Sequence, residues 1–301
     1  MAPRILNQAF SGIFFRYSGV SPSTATVFRC LYALPLLLLL ARGEDHRLGP
    51  RPRGERVLAI GAGAFFALDL LTYHHAVEEV GAGLGTVLPN LQVVLVGVAG
   101  WLLWRERPGR RALLALPVVG LGAVLISGVL DHAAYGRNPG LGVLFGLVAG
   151  ASYSAYLIII RQGNRGGSRA FGSLLDASAT TVAVATVAGL LTGDLDLRPA
   201  FPAHAWLILL ALTSQVASYG LINISLPRVP AVLTSMLLLA QPVMTVVLAA
   251  VLLGEAPSPG QLLGVGLILG GVALATAPLD RVGDGRRSEI PTSSPDGGLG
   301  G

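Results

Sequence analysis

Ten apolar runs dominate this chain, near residues 5–20, 23–41, 57–78, 82–104, 112–128, 141–160, 171–192, 204–225, 231–253 and 261–277. A run of about 20 residues, rising 1.5 Å per residue as a helix, crosses the ~30 Å hydrocarbon core of a bilayer. In lipid every backbone N–H and C=O must find its partner inside the chain. No ten-residue alternation of apolar and polar residues marks a β-barrel, so the runs are predicted to be helices. Composition agrees: 52% of the residues are hydrophobic and 12% charged, with a mean hydropathy of +0.67. A soluble domain carries about 25% charged residues. The expected fold class is an all-α integral membrane protein of ten transmembrane helices, with the lipid bilayer as its surroundings.

All 21 basic residues are arginines. With the N-terminus placed in the cytoplasm, the cytoplasmic segments hold Arg4, then Arg42, Arg47, Arg51, Arg53 and Arg56, then Arg105, Arg107, Arg110 and Arg111. Arg161, Arg165, Arg169, Arg228, Arg281, Arg286 and Arg287 follow on the same side, while the outer loops carry only Arg137 and Arg198. This asymmetry obeys the positive-inside rule and predicts both termini in the cytoplasm of a cell with an inner (cytoplasmic) membrane. The arginines form no stripe interleaved with aromatics, so nucleic acid is not an expected partner. Cys30 is the sole cysteine, which excludes a disulfide within the chain. The polar tail 278–301 is rich in Gly, Pro and Ser and is expected to be disordered. The first run is short and includes Asn7, Gln8 and Arg16, which reads as a helix lacking its N-terminal turns.

An offset of 149 residues aligns 80–125 with 229–274 without a gap. Apolar matches count for little in this composition. The informative ones are Gln92 with Gln241, Glu106 with Glu255, Pro108 with Pro257, Thr86 with Ser235 and Gly122 with Gly271. The same offset sets Asp69 opposite Ser218 and His74 opposite Asn223. Each half, 1–130 and 131–277, then holds five spans. Five is odd, so the second half enters the membrane from the opposite side. Such inverted repeats build transporters whose substrate site lies near the midplane.

The stretch QPVMTVVLAAVLLGEAPSPGQLLGVGLILGGVALA, 241–275, resembles the drug/metabolite transporter superfamily, specifically its EamA-type ten-helix members. A helix there ends in Gly254-Glu255, a short Pro-containing turn follows, and a glycine-rich helix closes the repeat. Residues 92–126 show the same pattern, and SGVSPSTATVFRCLYALPLLLLL, 18–40, resembles the family's second span with its arginine at Arg29. The first repeat departs from the pattern with Val93 in place of Pro242 and Arg105 before the glutamate; Pro89 then offers a kink in span 4. The resemblance implies a basket of ten helices around a central cavity, lined by spans 1, 3, 4, 6, 8 and 9, with spans 5 and 10 at the periphery. It also implies transport of a small-molecule substrate, most often export.

Asp69 lies near the middle of span 3, where a carboxylate costs ~2.5–3.5 kcal/mol on insertion scales. Such a group serves as a substrate contact or proton switch, or else bonds a neighbouring helix. Thr72 and Tyr73 share its face. Gln92 and Gln241 form a symmetric pair near the midplanes of spans 4 and 9, either lining the cavity or joining helices. Asn90, Ser218, Tyr219, Asn223, Tyr153 and Tyr156 are pathway candidates on the same argument. Arg29 is expected in a packing or gating ion pair with Glu78 or Glu79 rather than against the substrate. Asp176 is expected to be paired or to snorkel. His74 and His75 stand four residues before Glu78 and Glu79, but the pairs lie on adjacent faces and no third ligand is evident. The HHAVEE segment therefore reads as a water-facing rim, with no metal. Glu106 and Glu255 are expected to cap the next helix or to pair at the interface. Gly266 and Gly270 permit close helix contact, within the fold or at the seam of a homodimer.

The motifs GxxxxGK[ST], HExxH and GxSxG are absent, so neither ATP hydrolysis nor an intramembrane enzyme is expected, and no catalytic residue or cofactor is assigned. The sequence reads as a secondary transporter of small polar metabolites such as amino acids, with multidrug efflux or a non-transporting scaffold as alternatives.

Overall fold

A computed structural model of the chain describes residues 10–91, 110–127, 130, 134–163, 169–220 and 231–276. Among them run ten α-helices: α1 (Ser11–Ser18), α2 (Pro22–Leu48), α3 (Arg53–Val80), α4 (Ala82–Val87), α5 (Arg110–Ile126), α6 (Pro139–Gly163), α7 (Ala170–Thr192), α8 (Phe201–Leu210), α9 (Ala231–Leu253) and α10 (Pro259–Thr276). No strand occurs among the described residues. The helices α2, α3, α6, α7 and α8 with its continuation are long and apolar enough to cross a membrane; α5, α9 and α10 hold shorter apolar stretches. The chain is a ten-helix integral membrane protein.

Local chemistry sets the helix breaks. Ser21 caps α2, its hydroxyl accepting from the Thr24 N–H at 3.3 Å, with Pro22 in the first turn. α3 and α4 are separated by Gly81 alone, whose φ of +91° favours glycine. α4 stops at Val87 and tightens into a 3₁₀ turn, Leu88–Leu91. Pro89 lies in that turn and has no N–H for the Gly85 carbonyl, so the expected kink falls there. α8 widens into a π-helical segment over Ala211–Ser218, where the Ser218 hydroxyl donates to the Thr213 carbonyl at 3.0 Å.

The helices of the two halves start in register. Helices α2 to α5 start at residues 22, 53, 82 and 110, and α7 to α10 at 170, 201, 231 and 259, within one residue of the 149-residue offset. Helices α2 and α5 also lie antiparallel to their counterparts, α7 and α10. The Glu44 carboxylate near the end of α2 accepts from the Phe171 and Gly172 N–H groups that begin α7. Just past the end of α7, Asp194 accepts from the Ser23 N–H that begins α2. α5 and α10 cross where Gly122 meets Gly264 and Ile268, and where Gly271 meets Ala115 and Val119. The offset converts each of these contacts into the other. α3 packs on α6 and α7, and α8 packs correspondingly on α1 and α2. An axis that exchanges antiparallel helices runs across them, the arrangement of inverted repeats.

Packing follows membrane rules, with small residues admitting close backbones. A Cβ on Gly122 would sit 2.7 Å from the Gly264 carbonyl oxygen, whereas one on Gly266 or Gly270 would meet nothing within 4 Å. The small-residue contact inside the fold is therefore made by Gly264 and Gly271, not by the Gly266–Gly270 pair. One apolar core joins α2, α3, α6, α7 and α8 around Phe66, Leu174 and Tyr156. A second joins α4, α5, α6 and α10. A third, with Ile13, Phe15, Phe28, Val77 and Leu207, fills the end of the bundle whose connections carry only Arg137 and Arg198.

Candidate functional site

The buried polar centre is organised by Arg29, on α2 and 1% exposed. Its Nε donates to Gln215 Oε1 at 3.0 Å, and the Gln215 amide in turn donates to the Ser178 hydroxyl at 2.9 Å. Arg29 Nη1 donates to the Ser11 hydroxyl at 3.3 Å, and its Cζ lies 5.8 Å from the Tyr219 ring centroid. One guanidinium thus ties together α1, α2, α7 and α8. Nη2 is buried and has no hydrogen-bond partner among the described residues. The π-helical turn of α8 helps here, burying Ser214, Gln215 and Ser218 within five residues.

Asp69 on α3 is 5% exposed. Neither Asp69 nor Arg29 belongs to an ion pair among the described residues. Tyr73 links the centre to α4. Its hydroxyl lies 3.3 Å from Thr86 Oγ1, which itself donates to the Ala82 carbonyl, so Tyr73 is the donor. Beside Asp69 stands an aromatic group: Phe66 stacks on Tyr156 at 4.6 Å and meets Tyr219 edge-on at 5.1 Å, and Tyr153 packs on both tyrosines.

The structure thus brings Arg29 beside Tyr219 and packs Tyr219 with Tyr153 and Phe66, while Asp69 and Tyr73 stand on the same helix as Phe66, α3. Other candidates are committed to backbone. The Asn90 amide donates to the Thr86 and Val87 carbonyls of the broken helix α4, and the Ser218 and Thr72 hydroxyls donate to carbonyls of their own helices. Gln241 is partly buried on α9. Gln92, Asn223 and Glu106 lie outside the described residues. The centre also draws on α2 and α7, which the expected lining left out. Gln215, Ser178 and Ser11 were missed. Gln215 was signalled by an amide in the middle of an apolar run, and Ser178 by standing 149 residues after Arg29.

Three expectations need correction. Arg29 does not pair with Glu78 or Glu79. Glu79 instead takes two hydrogen bonds from the Arg137 guanidinium, and Glu78 lies 3.8 Å from the same arginine. Arg29 sits seven residues into α2 while Glu79 is at the last turn of α3, a depth difference of about 9 Å at 1.5 Å per residue. Secondly, HHAVEE is not a uniform water-facing rim. His74 is fully buried, its ring 4.6 Å from Phe15 and its Nδ1 2.8 Å from Thr26 Oγ1, and Glu79 is buried too. His75 and Glu78, three residues apart on the other face, are the partly exposed pair. Thirdly, Glu255 caps α4 rather than the helix that follows it: its carboxylate accepts from the Ala82 and Gly83 N–H groups at 2.6 and 3.0 Å. Antiparallel packing brings the end of α9 to the start of α4, where a carboxylate also opposes the helix dipole. Asp176 is paired as expected, 2.7 Å from Arg51.

These contacts close the end with few arginines. The third apolar core, the Glu255 cap and the Glu79–Arg137 pair meet there, leaving a shallow cleft of about 440 Å³ between Ser18–Ser21 and Gly193–Ala200. Beside that cleft, partial burial opposes the Asp194 carboxylate, but hydrogen bonds from Thr192 and Ser23 outweigh it and hold its pKa below the ordinary value.

Two inverted five-helix repeats crossing at a buried polar centre define a membrane transporter, not an enzyme. The chain belongs to the EamA-like transporter family, whose model matches residues 7–128 and again 140–277. The chain is 26% identical over 212 residues to the uncharacterized transporter YwfM of Bacillus subtilis (strain 168), covering 67% of each protein. A solved crystal structure, 18% identical, shares the fold with a TM-score of 0.63 over 91% of this chain and 94% of its own.

Proposed function

We propose that this transporter is a gradient-driven exporter of small polar metabolites, amino acids and their relatives first among them, across the cytoplasmic membrane. The observation that carries this reading is the polar centre itself. Two ionisable side chains, Arg29 and Asp69, are buried in the apolar bundle, where such groups are costly and mark transport pathways. The sequence has no phosphate-binding GxxxxGK[ST] loop, which favours a gradient as the driving force. Arginine placement supports a cytoplasmic location for both termini, and the sealed end is then the outer one.

The test compares small molecules in the medium of bacteria carrying wild type, Asp69→Asn or empty vector. A metabolite that accumulates outside with wild type but not with the variant supports export through this centre. Equal media from all three strains, with both proteins in the membrane, count against export.

A further inference from the structure

We propose that the connection between α5 and α6 is a one-sided strap. Residues 135–138 tie α10 to α3 across the end with few arginines, hold the resting protein closed there, and must let go before the centre can open on that side. The inference rests on the transport reading above, on which that end is the outer one, and concerns how the centre is gated rather than what it binds.

The strap has an anchor at each end. On α10 the fully buried Gln261 side chain holds both backbone groups of Tyr135. Its Oε1 accepts from the Tyr135 N–H at 2.7 Å, and its Nε2 donates to the Tyr135 carbonyl at 2.9 Å. The same amide accepts from the Ser258 N–H and donates to the Ile126 carbonyl, so its bonding positions are all in use. On α3 the anchor is Glu79. Its carbonyl accepts from the Arg137 and Asn138 N–H groups at 2.8 and 3.2 Å, and its carboxylate accepts from Nε and Nη2 of Arg137. Between the anchors Gly136 has a φ of +120°, and a Cβ there would lie 2.6 Å from the Glu79 carbonyl oxygen. Glycine is what lets the strap lie this close to the end of α3.

The strap covers the break between α3 and α4. A Cβ on Gly81 would lie 2.8 Å from Glu255 Oε2 and 2.9 Å from Tyr135 Cε1, so the Tyr135 ring and the carboxylate that caps α4 press on the same glycine. The α3 anchor resists partial release. The Arg137 side chain is 68% exposed and that of Glu79 only 6%. Lifting the arginine alone would leave a buried carboxylate unpaired, which is strongly disfavoured, so the strap and the end of α3 move together.

The sequence provides no equivalent strap for the other end. The 149-residue offset carries Gly136 and Arg137 onto Gly285 and Arg286, but it carries Glu79 onto Arg228 and sets Gln261 opposite Ala112. Both anchoring side chains are lost, and the acid is replaced by a residue that repels the arginine it would hold. A contact made in one state alone shifts the population towards that state, so the strap favours closure of its own end.

The experiment places a reporter cysteine at the polar centre, Ser11→Cys in a Cys30→Ala background, and follows its labelling in intact cells by a membrane-impermeant maleimide added outside. Arg137→Ala and Gly136→Ala release the strap by different chemistry, and each is expected to speed labelling at least threefold. Arg137→Lys is expected to fall between wild type and Arg137→Ala, and Arg198→Ala, at the other arginine of the outer loops, to match wild type. Labelling that neither release variant speeds overturns the strap and leaves the transporter reading standing, because the measurement needs no substrate. A rise of the same size in Arg198→Ala, or a rise only in variants that have lost their thermal transition in detergent, overturns it too. If Ser11→Cys does not reach the membrane, Gln241→Cys is the reporter and the same outcomes decide.

Discussion

The two repeats agree in their scaffold and differ at their centre. Helix starts, the α5–α10 glycine contact and the carboxylates that close the two ends of the α2–α7 pair all recur within one residue of the 149-residue offset. At the centre the first repeat supplies both charges, Arg29 and Asp69. The equivalent positions of the second repeat are neutral, Ser178 and Ser218. The second repeat adds Gln215 and the π-helical turn that presents it. The teaching is a division of labour. Both halves build the packing, whereas the ionisable side chains of the centre come from the first half and a neutral amide from the second holds Arg29 in place.

Breaking the asymmetric part has the largest expected effect. Asp69→Asn should lower transport at least tenfold in liposomes while leaving thermal unfolding in detergent within a few degrees of wild type. Its counterpart Ser218→Ala should change transport less than about threefold, because that hydroxyl serves the backbone of its own helix. Equal losses at both positions would mean that the two repeats share the work at the centre.

Breaking the symmetric part should appear in stability. Gly122→Ala forces a methyl against the Gly264 carbonyl, a backbone atom that cannot step aside, and should cost about 1–3 kcal/mol. At the equivalent position, Gly271→Ala meets the end of the Val119 side chain first and should cost less. Gly266→Ala meets nothing within 4 Å and should be neutral or slightly stabilising, since alanine is the better helix former by up to about 1 kcal/mol. Unfolding midpoints in detergent rank the three.

Much of the scaffold was readable because run length and repeat offset are one-dimensional signals. The apolar runs placed the starts of α4 and α9 at the observed residue and those of α5 and α10 within two residues, and Pro89 marked the end of the regular part of α4. The centre was harder to read because its partners are set by depth and helix rotation. The pairing of Arg29 depended on a depth comparison between α2 and α3. That of Glu255 depended on which helix lies antiparallel to α9, and the burial of His74 on which face of α3 meets Phe15 and Thr26. Gln215 depended on a π-helical turn that no run of residue types announces. The same cross-repeat logic makes Glu255→Gln informative. A neutral cap in place of a buried carboxylate on two N–H groups should cost about 1–2 kcal/mol and loosen the closed end.

The smallest expected effect separates the two ends of the α2–α7 pair by pH. Asp194 has its pKa held below the ordinary value by Thr192 and Ser23, against the opposing effect of partial burial. A carboxylate with a depressed folded pKa contributes stability above its unfolded value, near 3.9, and loses that contribution as pH falls through the folded value. Stability from this contact is therefore complete at pH 5 and above, and fades below about pH 4. Solvent screening at a half-exposed loop should keep the contribution to about a few tenths of a kcal/mol. In detergent, wild type and Asp194→Asn should differ by a constant offset between pH 7 and 5 and converge below about pH 4. A difference that stays constant below pH 4 would mean that Asp194 closes its end of α2 without relying on its charge, and that the two carboxylate-closed ends of the pair are held by different physics.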